Sequence, residues 1–169
     1  ILAPVGSTEM LVAAVRSGAD AVYLGAKEYS ARRNAENFGA YELKNAIEYC
    51  HTRGVKAYLT LNILIKEKEL SSAFDLAKNA YNLGIDGIII EDLGLSRILR
   101  EKIPHLKLHA STQMSVHSVS ALPILKEMGF VRVVAAREMS KTDLTALCEK
   151  AKELEMEVEV FVHGALCMC

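Results

Sequence analysis

The stretch "YNLGIDGIIIED" (residues 81–92) decides the fold. It opens as the end of an amphipathic helix, stops at Gly84, runs through Ile88-Ile89-Ile90 and finishes on Glu91 and Asp92. Glycine suits the position just past a helix, because that residue usually turns left-handed and a side chain resists the turn. An unbroken run of Val, Ile or Leu is how a parallel strand covered on both faces reads. The same order recurs in "VRSGADAVYLG" (15–25), "CHTRGVKAYLTLN" (50–62) and "KEMGFVRVVAARE" (126–138).

Carried along the chain, the pattern predicts strands over 1–5, 21–25, 55–61, 86–90, 106–110, 131–136 and 157–163. Amphipathic helices fill the gaps, and Ser7 and Ser140 stand where N-caps belong, the latter with Asp143 three residues on. Alternation of this kind means repeated βαβ units. An open doubly wound sheet would most often show a Gly-rich phosphate turn after its first strand, and "APVGSTEM" (3–10) holds one glycine. The expected fold is therefore α/β, a parallel (β/α) TIM-type barrel. Seven strands are one fewer than closure requires, so the barrel is expected to be incomplete. The chain starts at Ile1 inside one strand and stops just past another. Residues 1–169 are thus expected to form a single (β/α) barrel domain, a piece of a longer chain.

Composition narrows the function classes. Hydrophobic residues make up 51% and charged residues 24% of the 169, which excludes disorder and low complexity. No apolar run nears the ~20 residues of a membrane helix, and no secretory leader is visible. The net charge is −1, so any contact with RNA must rest on a local patch. Cys50 and Cys148 fall in helix patterns and are expected to be buried, inert thiols. Nothing in the cysteine spacing resembles a secreted disulfide framework, which points to the cytoplasm.

In a parallel barrel the site lies at the C-terminal ends of the strands. Here those ends carry Asn62, then Glu91 with Asp92, then His109, Ser111 and Gln113, then Arg137 with Glu138, and last His163 with Cys167. The strand starts are bland. Any one of these residues is more simply explained by a strand leaving the core, but the set as a whole predicts a polar pocket. Adjacent strand residues face opposite ways, so Glu91 and Asp92 are expected to do different jobs, one of them capping the next helix. By the same period, His109, Ser111 and Gln113 are expected to share one face. The polar connection "YSARRNAENF" (29–38) holds Arg32 and Arg33, whose guanidinium forks suit a small anion. In "HGALCMC" (163–169), His163 and Cys167 could serve a metal site or a Cys–His nucleophile, but neither reading is specific, and a thiol packed beside a core His is the default.

Five stretches taken together do more than spacing can. They are "ILAPVGSTEMLVAAVRSGADAVYLGAKEYSARRNAENF" (1–38), "LTLNILIKEKEL" (59–70), "HASTQMSVHS" (109–118), "VVAAREMS" (133–140) and "EVFVHGALC" (159–167). They closely resemble the collagenase-like peptidase family (peptidase family U, number thirty-two) over essentially the whole chain. The most specific piece is Glu159-x-Phe161-x-x-Gly164-Ala165-Leu166-Cys167, the first half of that family's signature. The resemblance implies an enzyme. In full-length form it would be an oxygen-independent hydroxylase of tRNA or rRNA, with a [4Fe-4S] cluster and a prephenate-like small anion as cosubstrate. Cys167 matches the first of four cluster cysteines, and no ligand role passes to Cys169. On this reading Asn62, Glu91, His109, Gln113, Arg137 and Glu138 line the substrate pocket, Arg32 or Arg33 meets the anion, and His163 and Cys167 serve catalysis. The runner-up that the resemblance implies is a collagenase-like protease acting on peptides, with Cys167 and His163, or a metal held by His and acid, supplying the nucleophile. No Ser-His-Asp set, HExxH or known Cys-protease signature supports that alternative. A non-catalytic barrel subunit is a third reading, since fold alone does not choose a function.

Overall fold

The computed structural model describes residues 1–31 and 37–164. These fall into two compact units, Ile1–Leu106 and a second that begins at Lys107.

The first unit alternates β1 (Leu2–Val5), α1 (Thr8–Arg16), β2 (Ala21–Gly25), α2 (Ala40–His51), β3 (Lys56–Leu61), α3 (Leu70–Asn82), β4 (Gly87–Ile90) and α4 (Leu93–Lys102). The strands pair in chain order and every pairing is parallel. One sheet face carries Val22, Leu24, Ala57, Leu59, Leu61, Ile88 and Ile90, all fully buried. Helix α1 covers β1 and β2, and α2 covers β3 with Leu43, Ala46, Ile47 and Cys50. The facing side of α3 is Ala73, Ala77 and Ala80, small enough to bring α4 close. The other sheet face clusters Ala21, Tyr58 and Ile89 with Leu2 and Tyr23.

The second unit holds β5 (Leu108–Ala110), α5 (Ala121–Glu127), β6 (Phe130–Val134), α6 (Lys141–Glu153) and β7 (Glu157–Glu159). Its strands also pair in parallel and in chain order. Helix α5 packs on β6 and α6 on β7, around Leu122, Phe130, Val133 and Leu147.

The described residues thus carry seven strands and six α-helices in the repeating order of (β/α) barrels, as the sequence predicts. The stops are the expected ones: Gly84 and Gly129 take φ of +91° and +88° after α3 and α5. Helix α6 departs from this rule, since Glu155 makes the left-handed turn at φ +52°. The predicted caps are present, with Ser7 accepting from the Met10 N–H and Ser140 from the Asp143 N–H. Three strands fall short of their expected bounds by two residues or more: β5 begins at Leu108 instead of 106, β6 ends at Val134 instead of 136, and β7 ends at Glu159 instead of 163. Cys148 is a correction, for it lies exposed on α6 while Leu147 and Ala151 take the buried side. Among the described residues no helix is long and apolar enough to cross a membrane.

Candidate functional site at the strand ends

In the first unit the tips of β2, β3 and β4 and the loop after β2 build one polar cluster. The β3–β4 ladder ends with Thr60 against Ile89 and Leu61 against Ile90, and Asn62 and Glu91 are the next residue of each chain, so the same register carried one step on sets them across from each other. The Thr60 hydroxyl donates to the Leu24 carbonyl at 3.2 Å, which leaves the Ser30 hydroxyl to donate to Thr60, also at 3.2 Å. Asn62 Oδ1 accepts from the Ala31 N–H at 3.1 Å. The Phe38 N–H donates to the Gly25 carbonyl at 2.9 Å, and Ala26 bridges Phe38 in parallel. Gly25 suits this close approach, because a Cβ would stand 2.6 Å from Ser30 Oγ and 2.7 Å from Asn37 Oδ1 and would force them to shift. Both described ends of the loop are therefore fastened to strand tips. Beside it lies a cavity of about 350 Å³, lined by Ser7, Thr8, Lys27, Asn37, Phe38 and Glu42.

One of the two acids caps the next helix, as expected. Asp92 caps α4, one oxygen accepting from the Leu95 N–H at 2.8 Å and the other from the Ile65 N–H at 3.1 Å. Glu91 is half-buried and has no hydrogen-bond or ion-pair partner among the described residues. Burial, and then the neighbouring Asp92 charge, push its carboxyl above the ordinary value.

In the second unit His109 and Ser111 are buried at 2% and 1% exposure. Gln113 does not join their strand face, which corrects the expectation. The strand ends at Ala110, Ser111 caps a 3-10 turn over Thr112–Met114, and its hydroxyl accepts from the Gln113 N–H. Gln113 is left exposed. Arg137 lies 5.3 Å from the Phe161 ring centre and donates to the Gly164 carbonyl at 3.4 Å, which brings it against the stretch that leads to Cys167. Glu138 and His163 are exposed. Arg32, Arg33 and Cys167 lie outside the described residues.

A further group escaped the sequence reading. Arg132, mid-strand in β6, is in register with both His109 and Glu157. Its Nε donates to Glu157 at 2.7 Å and its Nη1 to Glu159 at 3.4 Å. Burial raises the Glu159 carboxyl above its ordinary value, and the Arg132 charge opposes this only in part. The signal was present: an arginine inside the apolar run "FVRVVAA" (130–136) must find a partner, and "EVEV" (157–160) offers one at period two.

Among the described residues no group of three or more His, Cys, Asp or Glu could hold a metal. Cys50 is sealed in α2, its thiol pushed up to about 11 by burial and by Asp86, and Cys148 sits outward on α6. Cys167, the cysteine expected to hold a cluster, lies outside those residues.

The model of peptidase family U32 matches residues 6–169. The chain belongs to this family. A tRNA hydroxylation protein of Bacillus subtilis is 37% identical over 168 residues, 99% of this chain and 39% of that protein. The 23S rRNA 5-hydroxycytidine synthase of Escherichia coli is 34% identical over 168 residues, 99% of this chain and 25% of that enzyme. The chain thus spans well under half the length of these curated relatives. A solved U32 peptidase matches 94% of this chain and 66% of its own with a TM-score of 0.72 at 14% identity, which shows the shared fold. The family expected from "EVFVHGALC" is therefore the one found.

Proposed function

We propose that the full-length protein is a cytoplasmic hydroxylase of tRNA or rRNA pyrimidines. The observation that carries this is the 37% identity to a tRNA hydroxylation protein across 99% of the chain. In this reading Cys167 is one thiolate of a [4Fe-4S] cluster. Such a cluster takes four ligands, so the remaining cysteines belong to the longer protein. When bound, the cluster supplies the redox chemistry. The residues of this chain bind and orient: Asn62 and Glu91 meet substrate at the β3 and β4 tips, and Arg137 steadies the approach to Cys167 through Phe161 and Gly164. Arg32 or Arg33 pairs with a small anionic cosubstrate, prephenate-like in charge. His163 serves catalysis with Cys167, and His109, Gln113 and Glu138 belong to the substrate pocket.

The test is anaerobic purification of the full-length protein, iron and sulfide analysis, and mass spectrometry of RNA from cells with and without it. Hydroxypyrimidine that disappears in the deletion and in Cys167→Ser, together with lost iron, supports the reading. A deletion that changes no RNA nucleoside sinks it. The family name favours a second reading, a peptidase using His163 and Cys167. Peptide cleavage that survives iron removal and is abolished by Cys167→Ser would establish that one instead.

A further inference from the structure

Asn62 and Glu91 form a complementary pair. Asn62 Oδ1 is taken by the Ala31 N–H, and this fixes which way round the amide sits. Its Nδ2 keeps two N–H donors with no partner among the described residues. Glu91 follows the end of β4, one step past the Leu61–Ile90 pair as Asn62 is on β3, and its carboxylate, an acceptor, has no partner among the described residues. A half-buried acid and an amide held in one orientation, at adjacent strand tips, match a ligand that presents an acceptor beside a donor. The neighbours do not compete for that role. Thr60 and Ser30 satisfy each other, and Asp92 is spent on capping α4. Ile89, buried just below Glu91, gives the pair an apolar floor.

We propose that Asn62 and Glu91 clasp the Watson–Crick edge of one unstacked pyrimidine of an RNA strand. The Asn62 amide donates to uracil O4 or cytosine N3, and the Glu91 carboxylate accepts from the uracil N3–H or the cytosine N4–H. Enzymes that act on a base take it out of the stack and read that edge by hydrogen bonds. The assignment rests on the RNA reading above and narrows it to two side chains and one edge.

The test measures binding of the full-length protein to short single-stranded RNAs with one pyrimidine among adenosines. The pyrimidine is uridine, cytidine or 3-methyluridine, which lacks the N3–H. The unmutated protein is expected to bind the uridine or cytidine strand about tenfold to a hundredfold more tightly than the 3-methyluridine strand. The stronger of the two arms identifies the base. Asn62→Asp keeps an oxygen for the Ala31 N–H but loses the amide donors, and Glu91→Met keeps the length but loses the acceptor. Each is expected to remove most of the preference while thermal unfolding stays near that of the parent. A variant that unfolds normally and keeps the full preference overturns the proposal, as does a parent protein with no preference. Loss of the clasp leaves RNA hydroxylation by the parent standing. A parent that shows the preference but hydroxylates no RNA supports the clasp and removes the hydroxylase reading.

Discussion

The two units build the same kind of parallel sheet and fill one of its faces in opposite ways. In the first, Ala21, Tyr58 and Ile89 close an apolar cluster, and polarity begins only at the tips with Thr60, Asn62 and Glu91. In the second, charge enters the strands themselves, where Arg132 bridges Glu157 and Glu159 beside the buried His109. An apolar face tolerates repacking and ignores pH. A charged ladder fixes its partners, and removal of one member leaves a desolvated charge behind. The first unit is therefore an apolar sheet with a polar edge, and the second a sheet with an ion-paired face.

The sharpest way to separate them is by their thiols. Cys50 is fully buried with its thiol pushed up to about 11, whereas Cys148 is exposed. At pH 8 only about one Cys50 in a thousand would be ionised even if reagent reached it. Mass-mapped alkylation of the native protein should modify Cys148 and spare Cys50. Equal labelling would mean that the α2 face is not sealed.

Next in size is Leu59→Ala, which empties a fully buried position between sheet and helices. A loss of about 2–5 kcal/mol in urea unfolding is expected, with no dependence on salt. Arg132→Met should cost about 1–3 kcal/mol, less than a sealed pair because the arginine side chain is 17% exposed. Adding Glu159→Gln should recover part of that loss. If the double variant is no better than the single, Arg132 acts by packing alone.

The smallest effect is a pH slope. Burial raises the Glu159 carboxyl above 4.5. Between that value and its raised one, the folded state holds more protons than the unfolded. Its contribution to stability is thus present at low pH and declines as pH rises through the window. Amide exchange across β6 and β7 should report this decline, and Glu159→Gln should flatten it. Exchange in β3 near Leu59 should not follow Glu159→Gln.

The regular parts of this molecule were legible because each rests on local chemistry. Gly84 and Gly129 end helices, Ser7 and Ser140 begin them, and Asp92 caps α4 from beside an acid that does something else. What failed depended on where the chain turns. Gln113 was placed by strand period, but the strand stops at Ala110 and Ser111 caps a tight turn with its own side chain. Cys148 was placed by composition, yet Leu147 beside it points inward, so the thiol points out. Arg132 went unnoticed because strand ends drew the eye, and a charge within a strand is explained only by a neighbour far along the chain.

The fastening of the loop after β2 has a consequence for how such chains diversify. With Ala26 bridged to Phe38, Ala31 tied to Asn62 and Ser30 to Thr60, loop closure is settled by residues outside the stretch that holds Arg32 and Arg33. Changing what lies between adds little closure entropy, since that term grows only slowly with length. The frame therefore works as a socket. The stretch it holds can change in length or composition at little cost in closure while Gly25, Ser30 and Thr60 stay as they are.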